Sequence, residues 1–489
     1  MEKQQIKELI IEHKERFLGR GNLVRRDVQA EVARYLLQRE IIVITGIRRS
    51  GKSSLLRLIC EDLMTQGSAA PAAPVVPTAL AAPAAPVVPA APTASTTPTT
   101  PVAAASPVDG PPAGASLTPV LPANILYLNF DDERFISFTV QDFAPLYETF
   151  LELENPQGRR YLFLDEIQRI PGWERWLSRL YEFEDVRIFV AGSNAAMLSP
   201  EVASTLTGRH RQVTVWPFSF REFLTLRGMP AADLDFTRDL HRPETKAAIR
   251  RLFADYVEIG GFPEVARTGD ATLLEQYWRD ILYRDVIARY GIKNIKEIKE
   301  LSLFLAAHPG SVQSYRNLGN LIGVRSVNTV KNYLNALTDV YLFQFIDLFD
   351  YSLKRQIYNP SKVYCADGAL GNAVSFRFSR NIGHIYENMV FLALKRRGSE
   401  VFYWKSPRGR EVDFVVKSGL RITEAIQVCS SLADPQTRQR EFQALREAAE
   451  ALQADRLTIV TDAEEGSEKT DFGHIAIVPL WKWLLEENK

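Results

Sequence analysis

Residues 41–64, IIVITGIRRSGKSSLLRLICEDLM, decide the architecture of this chain. Ile41, Ile42, Val43 and Ile44 form an unbroken apolar run, the pattern of a strand buried on both faces of a parallel sheet. From Ser53 to Met64 the apolar residues recur at helical spacing. Between the two lies Gly46-Ile47-Arg48-Arg49-Ser50-Gly51-Lys52-Ser53, which satisfies GxxxxGK[ST] with a physical task at each fixed position. The glycines let backbone N–H groups curve round phosphates, whose charge also meets the positive end of the following helix. Lys52 supplies a point charge able to bridge the outer phosphates, and the Ser53 hydroxyl can ligate Mg²⁺, with Ser54 next on the same helix. The stretch therefore predicts a binding loop for ATP with Mg²⁺, formed by residues 46–54.

Further strands are expected at Asn124 to Phe130, Tyr161 to Leu164 and Val186 to Val190, with helical stretches such as Trp173 to Glu184 between them, which builds a parallel α/β sheet. The third of these apolar runs, counting from residue 41, ends in two adjacent carboxylates, Asp165 and Glu166. In phosphoryl transfer such a pair divides its work: Asp165 would hold the hydration shell of Mg²⁺ and Glu166 would polarise the attacking water. Asn194, in Ala191-Gly192-Ser193-Asn194, stands where a small polar side chain either orients that water or caps a helix over Ala195 to Leu198. Arg209 precedes a strand expected at Gln212 to Trp216. It reads either as a finger reaching a neighbouring subunit's nucleotide, which would require a homo-oligomer, or as a surface ion pair.

With 489 residues the chain exceeds what a single core sustains, so several domains are expected. Its 59 basic and 59 acidic residues cancel, and net charge names no partner. Cys60, Cys365 and Cys429 are too scattered for a disulfide framework or a metal knuckle, which suits a reducing, cytoplasmic setting. The N-terminal segment lacks a signal peptide's apolar core, and no membrane span is expected. Gln66 to Ala123 holds 14 of the 27 prolines and only one charged residue, Asp109. Such a composition favours extended polyproline over helix, so 66–123 is expected to be a disordered insertion in a domain that resumes at Asn124.

In order, GIRRSGKSSL, FLDEIQ, AGSN, LTGRHRQVTVWPFSFREF and YVEIGGFPE resemble the AAA-type P-loop ATPases of archaea and bacteria that carry a C-terminal domain of unknown function. The likeness spans nearly the whole chain apart from the insertion. It implies Walker A at the loop, Walker B at Asp165 and Glu166, sensor 1 at Asn194 and the finger position at Arg209. It also implies a helical lid that includes Tyr256 to Val265. The expected division is an N-terminal helical segment (1–38), an ATPase domain (39–228), the lid (229–300), a winged helix-turn-helix (301–365) and an α/β restriction-endonuclease-like domain (366–489).

The winged helix is read from Ser314 to Thr338. Leu318 and Leu321 mark one helix, Gly323 the turn, and Val327, Val330, Leu334 and Leu337 the apolar stripe of a second. Val340 to Asn359 is expected to form the wing as a β-hairpin. Arg325 and Lys331, with Lys354 and Arg355, are then available to the phosphates of duplex DNA, although many such modules bind only protein. The last domain resembles a nuclease core in which a helix Glu, Glu387, a strand Asp, Asp413, and an E-x-K pair gather a metal. This chain has Gln427 and Cys429 at the E-x-K positions, and Glu424 falls on the opposite strand face. Lys417 could supply the missing amine. A degenerate core used for binding is favoured over an active nuclease. The functional expectation is an ATP-hydrolysing switch or motor acting on DNA, with an ATP-dependent regulator that grips protein as the alternative.

Overall fold

The structure is a computed structural model that describes residues 1–19, 21–36, 38–65, 119–194, 197, 204–235, 238–375 and 382–486. Residues 66–118 of the expected insertion, and most of the helix expected over 195–198, lie outside the described residues. The described end of that proline-rich stretch belongs to the domain: Val120 is buried, its N–H donates to the Leu63 carbonyl at 3.0 Å, and Pro122–Asn124 form a short 3-10 turn.

Five parallel strands make the first sheet, in the order β2-β3-β4-β1-β5. They are β1 (Ile41–Thr45), β2 (Ile125–Asn129), β3 (Arg160–Asp165), β4 (Val186–Ala191) and β5 (His210–Thr214). All five residues of β1 and all six of β4 are buried, as their apolar runs require. This is a P-loop NTPase sheet. β5 begins two residues earlier than expected because its register on β1 is set from Ile41↔His210 to Thr45↔Thr214. Helix α1 (Lys3–Gly19) buries Ile6, Leu9 and Ile10 in the core beneath β1 and β2, so the N-terminal segment packs as part of this layer. Helix α2 (Lys52–Thr65) follows the loop, and α3 (Trp173–Phe183) covers the opposite face with Trp173, Trp176, Leu177 and Leu180.

Beyond the sheet a large hydrophobic core takes in residues from Trp216 to Leu485, with a second, smaller one between Phe349 and Ile477. The entry to the large one is the pair Gly260-Gly261. A Cβ at Gly260 would overlap the Asp367 carboxylate, and one at Gly261 the Phe218 carbonyl. The Phe218 N–H donates to the Gly261 carbonyl at 2.6 Å, and the Gly261 N–H donates to Asp367 Oδ2 at 2.8 Å. Glycine at both positions is what lets this backbone touch Phe218 on one side and Asp367 on the other.

The next module has the order α4 (Ile295–Ala307), β6 (Val312–Gln313), α5 (Tyr315–Leu321), α6 (Val327–Asp339), β7 (Phe343–Ile346) and β8 (Ser361–Cys365). Its antiparallel sheet is β6-β8-β7. Two expectations are corrected here. Val340 to Asn359 is not a hairpin: the returning strand is β8, and a short helix α7 (Leu353–Tyr358) stands between, because Leu353 and Ile357 have helical rather than alternating spacing. Leu321 ends α5, the helix expected for it, but is 50% exposed. Val327 does not join the apolar stripe: it is 42% exposed, and α6 is held instead by Val330, Tyr333, Leu334 and Leu337.

The C-terminal module places α8 (Ile382–Arg396) against a six-stranded mixed sheet ordered β13-β14-β12-β11-β10-β9. These strands are β9 (Glu400–Lys405), β10 (Glu411–Ser418), β11 (Arg421–Val428), β12 (Arg456–Thr461), β13 (Gly466–Thr470) and β14 (Gly473–Pro479), with α9 (Pro435–Leu452) packed on the outer face. The segment after β7 adds to this sheet. Leu348 forms a parallel bridge with Tyr403, through N–H donation from Phe349 to the Tyr403 carbonyl (2.7 Å) and from Tyr403 to the Asp347 carbonyl (3.1 Å).

Candidate nucleotide site

β1 delivers Gly46 at the carboxyl edge of the sheet with φ 143°, pressed so closely on β5 that a Cβ would overlap the Val215 carbonyl. Only glycine begins the loop there. Lys52, at the start of α2, donates from Nζ to the carbonyls of Gly46 and Ile47, both at 3.0 Å, and so spans the mouth of the loop. Burial lowers its pKa, opposed by the charges of Glu166 and Asp165. Ile47 is in the core, and the Ser50 carbonyl accepts from Arg26 Nη1 at 2.9 Å. Ser53 and Ser54 face a cavity of about 250 Å³ shared with His13, Arg16 and Arg57.

The register of the sheet carries the two carboxylates to this edge, with Asn129, Asp165 and Ala191 abreast. Asp165 is buried. Desolvation, and then the neighbouring Glu166, push its pKa up to about 6, while a hydrogen bond from Ser53 opposes the rise. Asp165 Oδ1 is buried without a hydrogen-bond partner. An orphaned carboxylate oxygen beside a serine hydroxyl is a fit donor set for Mg²⁺, a hard cation that takes oxygen ligands. Glu166 turns into the left-handed region (φ 53°), anchored by N–H donation to the Ala191 carbonyl at 2.7 Å. Its Oε2 accepts from Gln168 Nε2 at 2.5 Å and from Ser193 Oγ at 3.5 Å.

Sequence reasoning missed the groups that close the site from outside. Arg48 makes a bidentate pair with Asp285 of the π-helical turn Ile281–Ala288, at 2.7 and 2.9 Å, and Arg49 lies over the Tyr277 ring. Asn194 Nδ2 reaches the Tyr290 hydroxyl at 3.4 Å, and Tyr290 donates to Asp339 Oδ2 at 2.8 Å, at the end of α6. Tyr341, just past α6, donates to Thr45 Oγ1 at 2.7 Å on the last residue of β1. Arg26 bonds the Ser50 and Trp216 carbonyls and pairs with Glu222, itself the far end of a Ser219–Glu222 capping box. That box was the one local signal available. The other partners are 24 to 296 residues apart.

Several expected residues stay away from the loop. Arg209 sits at the amino end of β5, four residue steps and roughly 13 Å of strand from the loop's edge, where its carbonyl accepts from Ile41 N–H. Its guanidinium donates to Ser178 (2.6 Å), pairs with Glu182 (2.6 Å) and lies over Tyr181. Arg325 and Lys331 are exposed near α6, Lys331 over the Tyr315 ring, and Lys354 and Arg355 are exposed on α7.

In the C-terminal module Glu387 and Asp413 do converge, but on an ammonium: Lys362 of β8 (Nζ–Oε1 and Nζ–Oδ1, both 2.9 Å). Gln427 accepts from the Asp413 N–H at 3.1 Å and donates to Glu441, and Cys429 is a buried thiol that desolvation pushes up to about 12. Lys417 does not migrate in. It pairs with Glu400 of β9 at 2.9 Å on the surface, four residues along β10 from Asp413. Glu424 accepts from Thr458 at 2.7 Å.

Family models match in three blocks: an AAA domain over 115–224, a domain of unknown function (DUF8612) over 250–381 and another (DUF4143) over 382–483. An uncharacterized protein of Methanocaldococcus jannaschii, MJ1544, is 34% identical over 381 residues, covering 74% of this chain and 82% of that protein. This chain belongs to the MJ1544 family. Within the family, an uncharacterized protein of Haemophilus influenzae is similar at 28% identity over 302 residues, 60% of this chain and 72% of its own length. Solved structures resemble the chain loosely. The Aeropyrum pernix ORC1 protein in complex with DNA has 14% identity and a TM-score of 0.26, covering 74% of this chain and 95% of that one. The replication initiator DnaA bound to AMPPCP and single-stranded DNA has 14% identity and a TM-score of 0.25, covering 68% and 92%. The AAA match begins near the end of the insertion, yet β1 is paired between β4 and β5 in the same sheet, so the family member carries an AAA-type ATPase domain whose first strand precedes the insertion. Among the described residues no helix is long and apolar enough to cross a membrane.

Proposed function

We propose that the chain binds ATP with Mg²⁺, hydrolyses it, and passes the state of the nucleotide to α6, acting as a switch on duplex DNA. The observation that carries this reading is the direct attachment of α6 to the catalytic edge, through Tyr341 to Thr45 and through Asp339 and Tyr290 to Asn194. Lys52 would release its two carbonyls to hold the outer phosphates, and Ser53 and Asp165 would hold Mg²⁺, which neutralises charge developing on the phosphoryl group. Glu166, steadied by Gln168 and Ser193, would accept the proton of the attacking water, and Asn194 would orient that water at the cost of its bond to Tyr290. The order α4-β6-α5-α6-β7-β8 with a three-stranded antiparallel sheet supports a winged helix, in which α6 is the helix offered to the major groove with Arg325 and Lys331 toward the phosphates. A finger role for Arg209 would need a second copy and the loss of its bonds to Ser178 and Glu182.

The second reading, a regulator that grips protein, is favoured by one feature: Leu353, Ile357 and Tyr358 of α7, with Tyr351, are 68–79% exposed. ATP turnover of wild type, Lys52→Ala and Glu166→Gln, each with and without duplex DNA, separates the possibilities. Stimulation by DNA of a turnover that both variants lose supports the switch on DNA. Indifference to DNA leaves the protein-directed reading, and full activity in both variants removes the catalytic assignment.

A further inference from the structure

The restriction-endonuclease-like reading of the C-terminal module implies a divalent metal held by Glu387 and Asp413, and the residues present do not fit one. Lys362, only 1% exposed, places its Nζ 2.9 Å from Glu387 Oε1, 2.8 Å from Glu411 Oε1 and 2.9 Å from Asp413 Oδ1. Three carboxylates from α8 and β10 thus surround one ammonium as they would a cation of similar size. Oxygens of Glu387 and Asp413 have further partners. Tyr364 donates to Glu387 Oε1 at 2.8 Å, Asp413 Oδ2 accepts from the Val428 N–H at 2.9 Å, and the Gly310 backbone lies so close to Glu387 Oε2 that even a Cβ there would overlap it. Among the described residues no group of three or more His, Cys, Asp or Glu is arranged to hold a metal.

We propose that Lys362 is a built-in cation occupying the place of a divalent metal between Glu387, Glu411 and Asp413, so that this module takes no metal there and is closed to metal-dependent phosphodiester cleavage. The ammonium comes from outside the C-terminal sheet. It rides on β8, which is stitched to α8 by the Asn388 side chain, accepting from the Cys365 N–H (2.8 Å) and donating to the Cys365 carbonyl (3.0 Å). A lysine on a strand held at both edges cannot withdraw as a surface lysine does, and a metal would have to displace a buried ammonium from its carboxylate partners. The electrostatics agree: burial opposes the charge on Lys362, yet the carboxylates hold its pKa well above the ordinary lysine value, and the ammonium in turn holds Glu387 down to about 2. Burial, with Glu387 adding to it against the pull of Lys362, pushes Asp413 up to about 7, so near neutral pH that carboxyl is in part protonated and the ammonium offsets part of the remaining carboxylate charge. This inference is independent of the nucleotide site.

The test is Mn²⁺ binding to the nucleotide-free, full-length chain, followed by electron paramagnetic resonance and calorimetry. Wild type and Asp413→Asn should bind Mn²⁺ identically, since the site is filled by Lys362. Lys362→Met should gain one Mn²⁺ per chain, and Lys362→Met/Asp413→Asn should lose it again. That difference separates the new site from Asp165 in the loop. A wild-type Mn²⁺ site that disappears in Asp413→Asn overturns the proposal, and that comparison stands even if Lys362→Met does not fold. A folded Lys362→Met, with unchanged circular dichroism and ATP binding, that gains no Mn²⁺ overturns it as well.

Discussion

Two buried lysines beside carboxylates divide this molecule into an open site and a closed one. Lys52 donates to two backbone carbonyls of its own loop, while Asp165 nearby keeps an oxygen without a partner. Lys362 meets three carboxylates directly, with a tyrosine and backbone N–H groups completing the set. Burial lowers the pKa of the first lysine, whereas the second is held well above its ordinary value. The same residue types thus give opposite outcomes. An unsatisfied oxygen in a dry place is poised for a ligand, and a satisfied network leaves nothing to bind.

The comparison can be broken in four places. The largest effect is expected from Lys362→Ala, which strands buried carboxylates without a counter-ion and should cost about 3–5 kcal/mol of stability, measured by urea unfolding. A change within about 0.5 kcal/mol, the scale of an ordinary surface substitution, would mean that the network is not closed. Lys52→Ala should leave the fold intact and reduce ATP turnover about 100-fold or more, because its bonds to loop carbonyls are replaceable and those to phosphates are not. Equal loss of folding in both variants would erase the distinction between the two lysines.

A third prediction follows from the carboxyl of Asp165, raised to about 6. Below that pH the group is protonated and offers no anionic oxygen, so Mg²⁺-dependent ATP affinity should fall as pH drops through about 6 and be complete above it. Titration of Mg²⁺ against ATP binding at several pH values checks this, with Asp165→Asn expected to flatten the dependence. The smallest effect belongs to Tyr341→Phe, which deletes one hydrogen bond worth about 1 kcal/mol. ATP binding should persist while stimulation by duplex DNA weakens a few-fold. Unchanged stimulation would detach α6 from the catalytic edge.

What could be read along the chain was whatever short spacing encodes. The apolar run of β1, the glycines of the loop and the adjacent Asp165-Glu166 pair each lie within a few residues, where strand period, turn chemistry and helix polarity act directly. The wing was misread because Leu353 and Ile357 carry a helical spacing inside a segment otherwise rich in strand formers. Lys362 left a clue: a lysine between Ser361 and Val363-Tyr364-Cys365, in a strand whose other side chains are mostly buried.

The sequence by itself determined that a phosphate-type loop opens a parallel sheet, since that information is local. Tertiary structure alone decided what surrounds each lysine. Asp285, Tyr290 and Tyr341 reach Arg48, Asn194 and Thr45 from more than 90 residues away, and Glu387, Glu411 and Asp413 reach Lys362 from two other elements. Spacing names the groups that could bear charge. Only packing fixes which of them water and ligand can still reach, because the cost of leaving a charge unpaired depends on what the fold has placed beside it.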